Sequence, residues 1–223
     1  EGFPHIYVNE IPLPKNPLKT LNSYIILSDE RVMIIDTGFN LPECKEALLA
    51  GIKELNIDLK KTDVVLTHMH VDHSGLADLL WGLGAKVYIG AKDGILLDNF
   101  RSHPEGVLLA ISKAFNLGQE VIKMEKNEFD IVPKELFDYT PLKEGEVLQI
   151  GDYVFEVIDI PGHTPGHIGL YERRHKLFFG GDLILNEVTP NITFWHNEFD
   201  SLGTFLKSLR KIEEMDIETV FSA

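Results

Sequence analysis

The sequence predicts an α/β chain arranged around two sheets. Two observations predict it. Strand-forming runs rich in β-branched and aromatic residues gather toward both ends and alternate with stretches of helical spacing. The two halves also echo each other: each has a strand hairpin with a carboxylate just beyond it, Asp36 in the first and Asp182 in the second, and each has a helix.

Taken in order, Ser23–Leu27 and Val32–Ile35 flank the polar turn Ser28-Asp29-Glu30-Arg31 and read as a hairpin ending at Asp36-Thr37-Gly38. Leu48, Leu49, Ile52 and Leu55 recur at helical spacing, so Pro42 to Leu55 reads as a helix with proline in its first turn. Val64-Val65-Leu66 is a short apolar strand, Gly75 to Leu83 a helix, and Lys86 to Ile89 a strand. From about residue 91 to 142 the alternation is lost, and this stretch reads as an insertion within one domain spanning 1–223. Val107, Ile111, Ala114 and Phe115 mark one amphipathic helix inside it, able to shape a pocket or a homodimer contact. Val147–Ile150 and Tyr153–Ile160 form a second hairpin, and Ile168–Tyr171 with Leu177–Phe179 a third pair of strands. Leu202, Phe205, Leu206, Leu209 and Ile212 share one helix face behind a cap at Asp200 or Ser201, and Thr219-Val220-Phe221 supplies a last strand.

Composition narrows the function classes. The chain of 223 residues carries 21 basic and 35 acidic side chains, a net −14, which argues against a face for nucleic acid. One cysteine, Cys44, excludes an intrachain disulfide. No run of about 18 apolar residues offers a membrane span. The chain opens at Glu1 with no charged-then-apolar leader, so the cytoplasm is the expected compartment.

Chemistry concentrates at Thr67-His68-Met69-His70-Val71-Asp72-His73, where three histidines and an aspartate fall within six residues at the end of an apolar strand. Imidazole and carboxylate suit zinc, with iron or manganese as alternatives. An extended backbone points His68 and His70 the same way. Asp72 and His73 lie past the turn and can face a second position roughly 3.5 Å away, the spacing of two-metal sites. Gly162-His163-Thr164-Pro165-Gly166-His167 and Gly180-Gly181-Asp182 each follow a strand and expose side chains at its tip in the same way. Asp36, Thr67 and Thr164 can accept the free N–H of a ligand histidine, and His167 is a further supporting residue. Phe194-Trp195-His196 lies on a loop about a dozen residues after Asp182, where Trp195 and His196 can wall a substrate pocket.

In order and spacing, Asp36-Thr-Gly, His68-x-His70-x-Asp72-His73, Gly-His163-Thr-x-Gly-His and Gly-Gly-Asp182 resemble the metallo-β-lactamase superfamily over nearly the whole chain, and most closely its glyoxalase II-like hydrolases. The resemblance implies a four-layer αββα sandwich with metals at one edge. It implies a first metal on His68, His70 and His163, a second on Asp72 and His73, and Asp182 bridging them. The family usually carries a final histidine just after its last strand. Here the strand runs into Ser222-Ala223, so that ligand is expected a residue or two beyond, with the C-terminal part cut short.

The expected function is a binuclear metal-dependent hydrolase, with two zinc ions and a metal-bridging hydroxide, acting on a small ester, thioester or lactone. Asp72 is the expected catalytic residue, able to ligate, to orient the nucleophile and to accept its proton. Three other readings are weighed beside it: a mononuclear iron sulfur dioxygenase, a phosphodiesterase or nuclease, and a non-catalytic binding module of the same fold.

Overall fold

The computed structural model describes residues 3–102, 132–186, 188–192, 195 and 199–223. Period-two alternation sorts the strand residues into an inner and an outer set. Ile26, Met33, Ile35 and Val65 face Phe155, Val157, Leu170 and Phe179 across the gap between two sheets. Ile25, Ile34, Val64 and Ile89 point the other way, onto Cys44, Leu48 and Leu80 of covering helices. Phe178 and Tyr171 likewise turn outward onto Phe205 and Ile212. Helix, sheet, sheet and helix therefore stack as four layers.

The first sheet has the order β1-β2-β3-β4-β5-β6: β1 (Ile6–Pro12), β2 (Thr20–Leu27), β3 (Val32–Ile35), β4 (Thr62–Leu66), β5 (Lys86–Gly90) and β6 (Thr140–Leu142). β1, β2 and β3 pair antiparallel, whereas β3, β4, β5 and β6 pair parallel. The second sheet has the order β11-β10-β9-β8-β7: β7 (Val147–Ile150), β8 (Tyr153–Asp159), β9 (Ile168–Glu172), β10 (Leu177–Gly181) and β11 (Thr219–Ser222). Its strands are antiparallel except β10 and β11. Tyr24 on β2 donates from its hydroxyl to the Ser222 carbonyl on β11 at 2.5 Å, tying the two sheets together. Burial pushes that phenol up to about 12.

The described helices are α1 (Pro42–Glu54), α2 (Val71–Ser74), α3 (Ala77–Gly82), α4 (Ala91–Ser102) and α5 (Ser201–Glu213), with a 3-10 turn at Leu59–Lys61. α5 is capped by the Asp200 carboxylate, which accepts from the Gly203 N–H at 2.8 Å.

Three elements differ from the sequence reading. The helix expected over Gly75 to Leu83 is the shorter α3, Ala77–Gly82, and a separate one-turn helix, α2, precedes it at Val71–Ser74. Between them Gly75 packs against Gly38 and Asn40, and the Leu76 N–H goes to the Thr37 hydroxyl at 3.2 Å. The sequence pattern does not mark β1. It is an edge strand of mixed polarity, recruited by seven paired positions along β2. The stretch that reads as an insertion holds a helix and a strand of the sandwich at its two ends, α4 and β6. Val107, Ile111, Ala114 and Phe115 lie outside the described residues.

Candidate metal centre

The parallel strands β3, β4 and β5 end at one edge of the sandwich, and β10 delivers its last residues to the same edge. Ligand sites of open parallel sheets form outside such carboxyl ends. β3 hands over Asp36, β4 hands over the loop 67–70, the turn before β9 carries His163 and His167, and β10 ends one residue before Asp182.

Asp36 turns the chain at a positive φ of 62°, a strained conformation for a residue with a side chain. Its backbone is held at both ends: its N–H donates to Val65 and its carbonyl accepts from the Ser23 hydroxyl at 2.8 Å. The Asp36 carboxylate accepts from the Thr67 N–H at 2.8 Å and the Thr67 hydroxyl at 2.8 Å, and lies 2.9 Å from His73 Nδ1. Because the Thr67 hydroxyl spends its proton on Asp36, its oxygen accepts from His68 Nδ1 at 3.1 Å. That arrangement leaves the His68 Nε2 lone pair facing the cluster.

His68 Nε2 lies 3.1 Å from His70 Nδ1 and 3.2 Å from His163 Nε2. His163 Nδ1 donates to the Asn191 carbonyl at 2.6 Å, which again frees Nε2. Asp182 sits between the halves of the cluster, with Oδ1 3.2 Å from His73 Nε2 and Oδ2 3.4 Å from His163 Nε2. Among the described residues, two donor groups have atoms all within 4.8 Å of one another: His68, His70 and His163, and His68, His73 and Asp182. Asp72 stands at the rim, its Oδ2 4.0 Å from His73 Nε2.

Electrostatics divide these groups. Burial, reinforced by neighbouring imidazoles, holds His68 well below the ordinary histidine range and lowers His70 to about 3. His163 is also lowered, mainly by burial. Burial pushes His73 down too, but the carboxylates of Asp182, Asp36 and Asp72 outweigh it and raise His73 well above the ordinary range. Asp182 is the reciprocal case: burial raises it, and His73 more than offsets that and lowers it. Burial raises Asp72.

The remaining expected residues are placed as follows. Thr164 donates its hydroxyl to Asp93 at 2.6 Å, and so serves a carboxylate instead of a ligand imidazole. His167 is fully buried against His68 and His163, and neither of its ring nitrogens has a hydrogen-bond partner among the described residues. Gly181, at φ +49°, lets the chain pass close to it, since a Cβ there would come 2.8 Å from His167 Nε2. Trp195 stacks on His70 with ring centroids 5.9 Å apart and donates its indole N–H to the His163 carbonyl at 2.8 Å. His196 lies outside the described residues. Sequence reasoning missed Asn191 and Asp93. Asn191 acts through its main chain, which no side-chain pattern reveals. Asp93 falls in the stretch that reads as an insertion, and only the structure places it in the first turn of α4.

Whether metal suits this cluster is decided by its buried polar atoms. His73 Nε2 and Asp182 Oδ1 face each other in the interior without a hydrogen bond between them. Buried polar atoms in that state are costly, and a cation between them would satisfy both. Convergent imidazole nitrogens and carboxylate oxygens are also the donor set that divalent transition metals take. The residues fit a metal.

The pattern of the metallo-beta-lactamase superfamily matches residues 19–223. The hydroxyacylglutathione hydrolase GloC of Haemophilus influenzae is 32% identical over 190 residues, covering 84% of this chain and 77% of that one. An atrochrysone carboxyl ACP thioesterase of Emericella nidulans is 26% identical over 201 residues, covering 90% of this chain and 50% of that one, so the chain spans half of that relative's length. Among solved structures, a metallo-beta-lactamase family protein of Thermus thermophilus superposes with a TM-score of 0.86 at 27% identity, covering 99% of this chain and 73% of that one. The protein TTHA1623, solved in a di-iron-bound form, superposes with a TM-score of 0.62 at 28% identity, covering 95% of this chain and 90% of that one.

Proposed function

The chain belongs to the metallo-beta-lactamase superfamily, and from that premise we propose that it is a metal-dependent hydrolase of small thioester, ester or lactone substrates. The observation that carries this reading is the convergence of the two donor groups on His68, with His73 Nε2 and Asp182 Oδ1 buried and facing each other. We assign His68, His70 and His163 to one cation. His73, Asp72 and Asp182 would hold a second.

Zinc is the proposed metal; the same donors take iron or manganese. Bound there, divalent cations polarise a carbonyl oxygen and lower the pKa of water toward about 7. The chain's own residues do the rest. Thr67, Asn191 and Asp36 each engage one ring nitrogen of His68, His163 and His73, which orients the other toward the cluster. Asp72 stands at the rim, raised by burial, where it accepts the proton that the attacking water gives up. Thioesters come first among the substrates because a relative of this chain is named a thioesterase and another a hydroxyacylglutathione hydrolase. We read residues 1–223 as one domain. Among the described residues, no helix is long and apolar enough to cross a membrane.

The test is elemental analysis of protein purified without added metal, followed by thioester, ester and lactone assays on stripped and reloaded samples. About two zinc ions per chain, with thioester cleavage restored by zinc, is the expected result. One iron per chain with dioxygen uptake moves the assignment to a sulfur dioxygenase. No bound metal after loading overturns the enzyme reading and leaves a binding module.

A further inference from the structure

Two buried carboxylates lie beneath the donor cluster, and the function proposed above uses only Asp36. The other is Asp93, in the first turn of α4 and 0% exposed. Its Oδ2 accepts from the Met69 N–H at 2.9 Å and from the Thr164 hydroxyl at 2.6 Å. Its Oδ1 accepts from the Gly166 N–H at 2.6 Å. Met69 is the residue between His68 and His70, and Thr164 directly follows His163. The three imidazoles of the first donor group therefore hang from two loops that close on one shared anion.

The local sequence is shaped for that contact. A Cβ on Gly166 would come 2.3 Å from the Asp93 nitrogen, and one on Gly90 would come 2.1 Å from the Gly166 carbonyl oxygen. The start of α4 and the His163 loop thus meet backbone to backbone, a distance only glycine permits. The first turn of a helix also favours a negative charge, because its free N–H groups point that way. Asp36 makes the corresponding contacts on the other side, to Thr67 and to His73.

We propose that Asp93 is a positioning residue: it fixes the His163 loop against the His68–His70 loop and so sets the metal affinity of the first donor group. The His73–Asp182 side takes no contact from Asp93; Asp36 holds His73 there and also holds Thr67, which supports His68. This inference rests on the metal-centre reading, and the experiment separates the two. Wild type, Asp93→Asn and Asp36→Asn are stripped of metal and titrated with Co(II) against a competing chelator. The visible spectrum of Co(II) distinguishes an all-imidazole site from one with carboxylate. Supporting residues of this kind change metal affinity by about 10–100-fold. Asp93→Asn is expected to weaken the all-imidazole site by that factor and leave the carboxylate-containing site at its wild-type affinity. Asp36→Asn is expected to weaken both sites, because Asp36 holds Thr67 beside His68 as well as His73. A general structural defect in Asp93→Asn would also weaken both sites together.

Thr164→Val removes one of the three contacts to Asp93 and keeps the charge; it is the second variant if Asp93→Asn does not fold. It is expected to weaken the same site by a smaller factor. Wild-type affinity at the all-imidazole site in these variants, or equal loss at both sites, overturns the assignment of Asp93. A wild-type chain that takes up no Co(II) overturns the metal-centre reading itself.

Discussion

The two donor groups share His68 and lie within a few ångströms, yet their electrostatics are opposite. His68, His70 and His163 are crowded imidazoles, and burial with mutual repulsion keeps all three low. They are neutral at pH 7, with lone pairs ready for a cation. His73 stands among Asp182, Asp36 and Asp72, which raise it well above the ordinary range despite its burial. Without metal, then, the second group holds a proton where the first holds none. The difference comes from where the carboxylates sit. It shows that a run of histidines in sequence does not define a single chemical environment.

The largest expected effect tests the shared member. His68→Ala removes a donor from the first cation's proposed set and the neighbour that both donor groups share, so the chain should lose the first metal and its turnover. The loss should be at least the 10²–10³-fold, roughly, that follows removal of one transition-state stabiliser. Elemental analysis with kcat on the same sample checks it; a variant that still binds two metals would contradict the shared role.

Asp72→Asn comes next. Asp72 lies at the rim, 4.0 Å from His73 Nε2, and belongs to neither tight donor group. Turnover should fall by about 10²–10⁴-fold, the range for a positioned acid–base group, while the first group keeps its metal. Retained turnover at full metal loading would remove Asp72 from the mechanism.

Proton competition separates the groups more finely. His73 must give up its proton to bind a cation, so the second group's affinity should fall as pH drops, by roughly tenfold per unit below the raised His73 pKa. The first group should depend less on pH, because burial lowers all three of its imidazoles below the ordinary histidine range. The stability of the metal-free chain follows by linkage. The raised pKa of His73 contributes stability that is complete below its unfolded value of 6.5 and lost as pH rises through the folded one. The lowered pKa of Asp182 contributes stability present above 3.8 and lost as pH falls through its folded value. Metal should therefore raise Tm most at alkaline pH, and scanning calorimetry with and without zinc across pH checks the trend.

Much of this site is legible in the sequence because its donors are local. His68, His70, Asp72 and His73 fall in six residues, and His163 and Asp182 each follow an obvious strand. The hairpins β2–β3 and β7–β8 are legible for the same reason: short turns join strands that pair in register. What escapes is set by distant partners. β6 is three residues with a proline at its centre, and only parallel pairing with β5 makes it a strand. Asp93 meets residues 24 to 73 positions away, and nothing beside it in sequence announces them.

The smallest expected effect falls on one group alone. Trp195 touches the first donor group twice, stacking on His70 and donating to the carbonyl of His163. Trp195→Phe keeps an aromatic face and deletes one hydrogen bond, whose net worth is about 0.5–1.5 kcal/mol. First-group affinity should drop by only about 2- to 13-fold, with the second group unchanged. Fluorescence makes the test independent of turnover, since Co(II) quenches an indole stacked on a liganding ring. The chain has two tryptophans, and the exposed Trp81 on α3 supplies the constant background. Quenching should track the first equivalent of Co(II) and vanish in Trp195→Phe. Quenching that tracks the second equivalent instead would mean that the carboxylate-rich group fills first, because attraction to its anions outweighs the proton on His73.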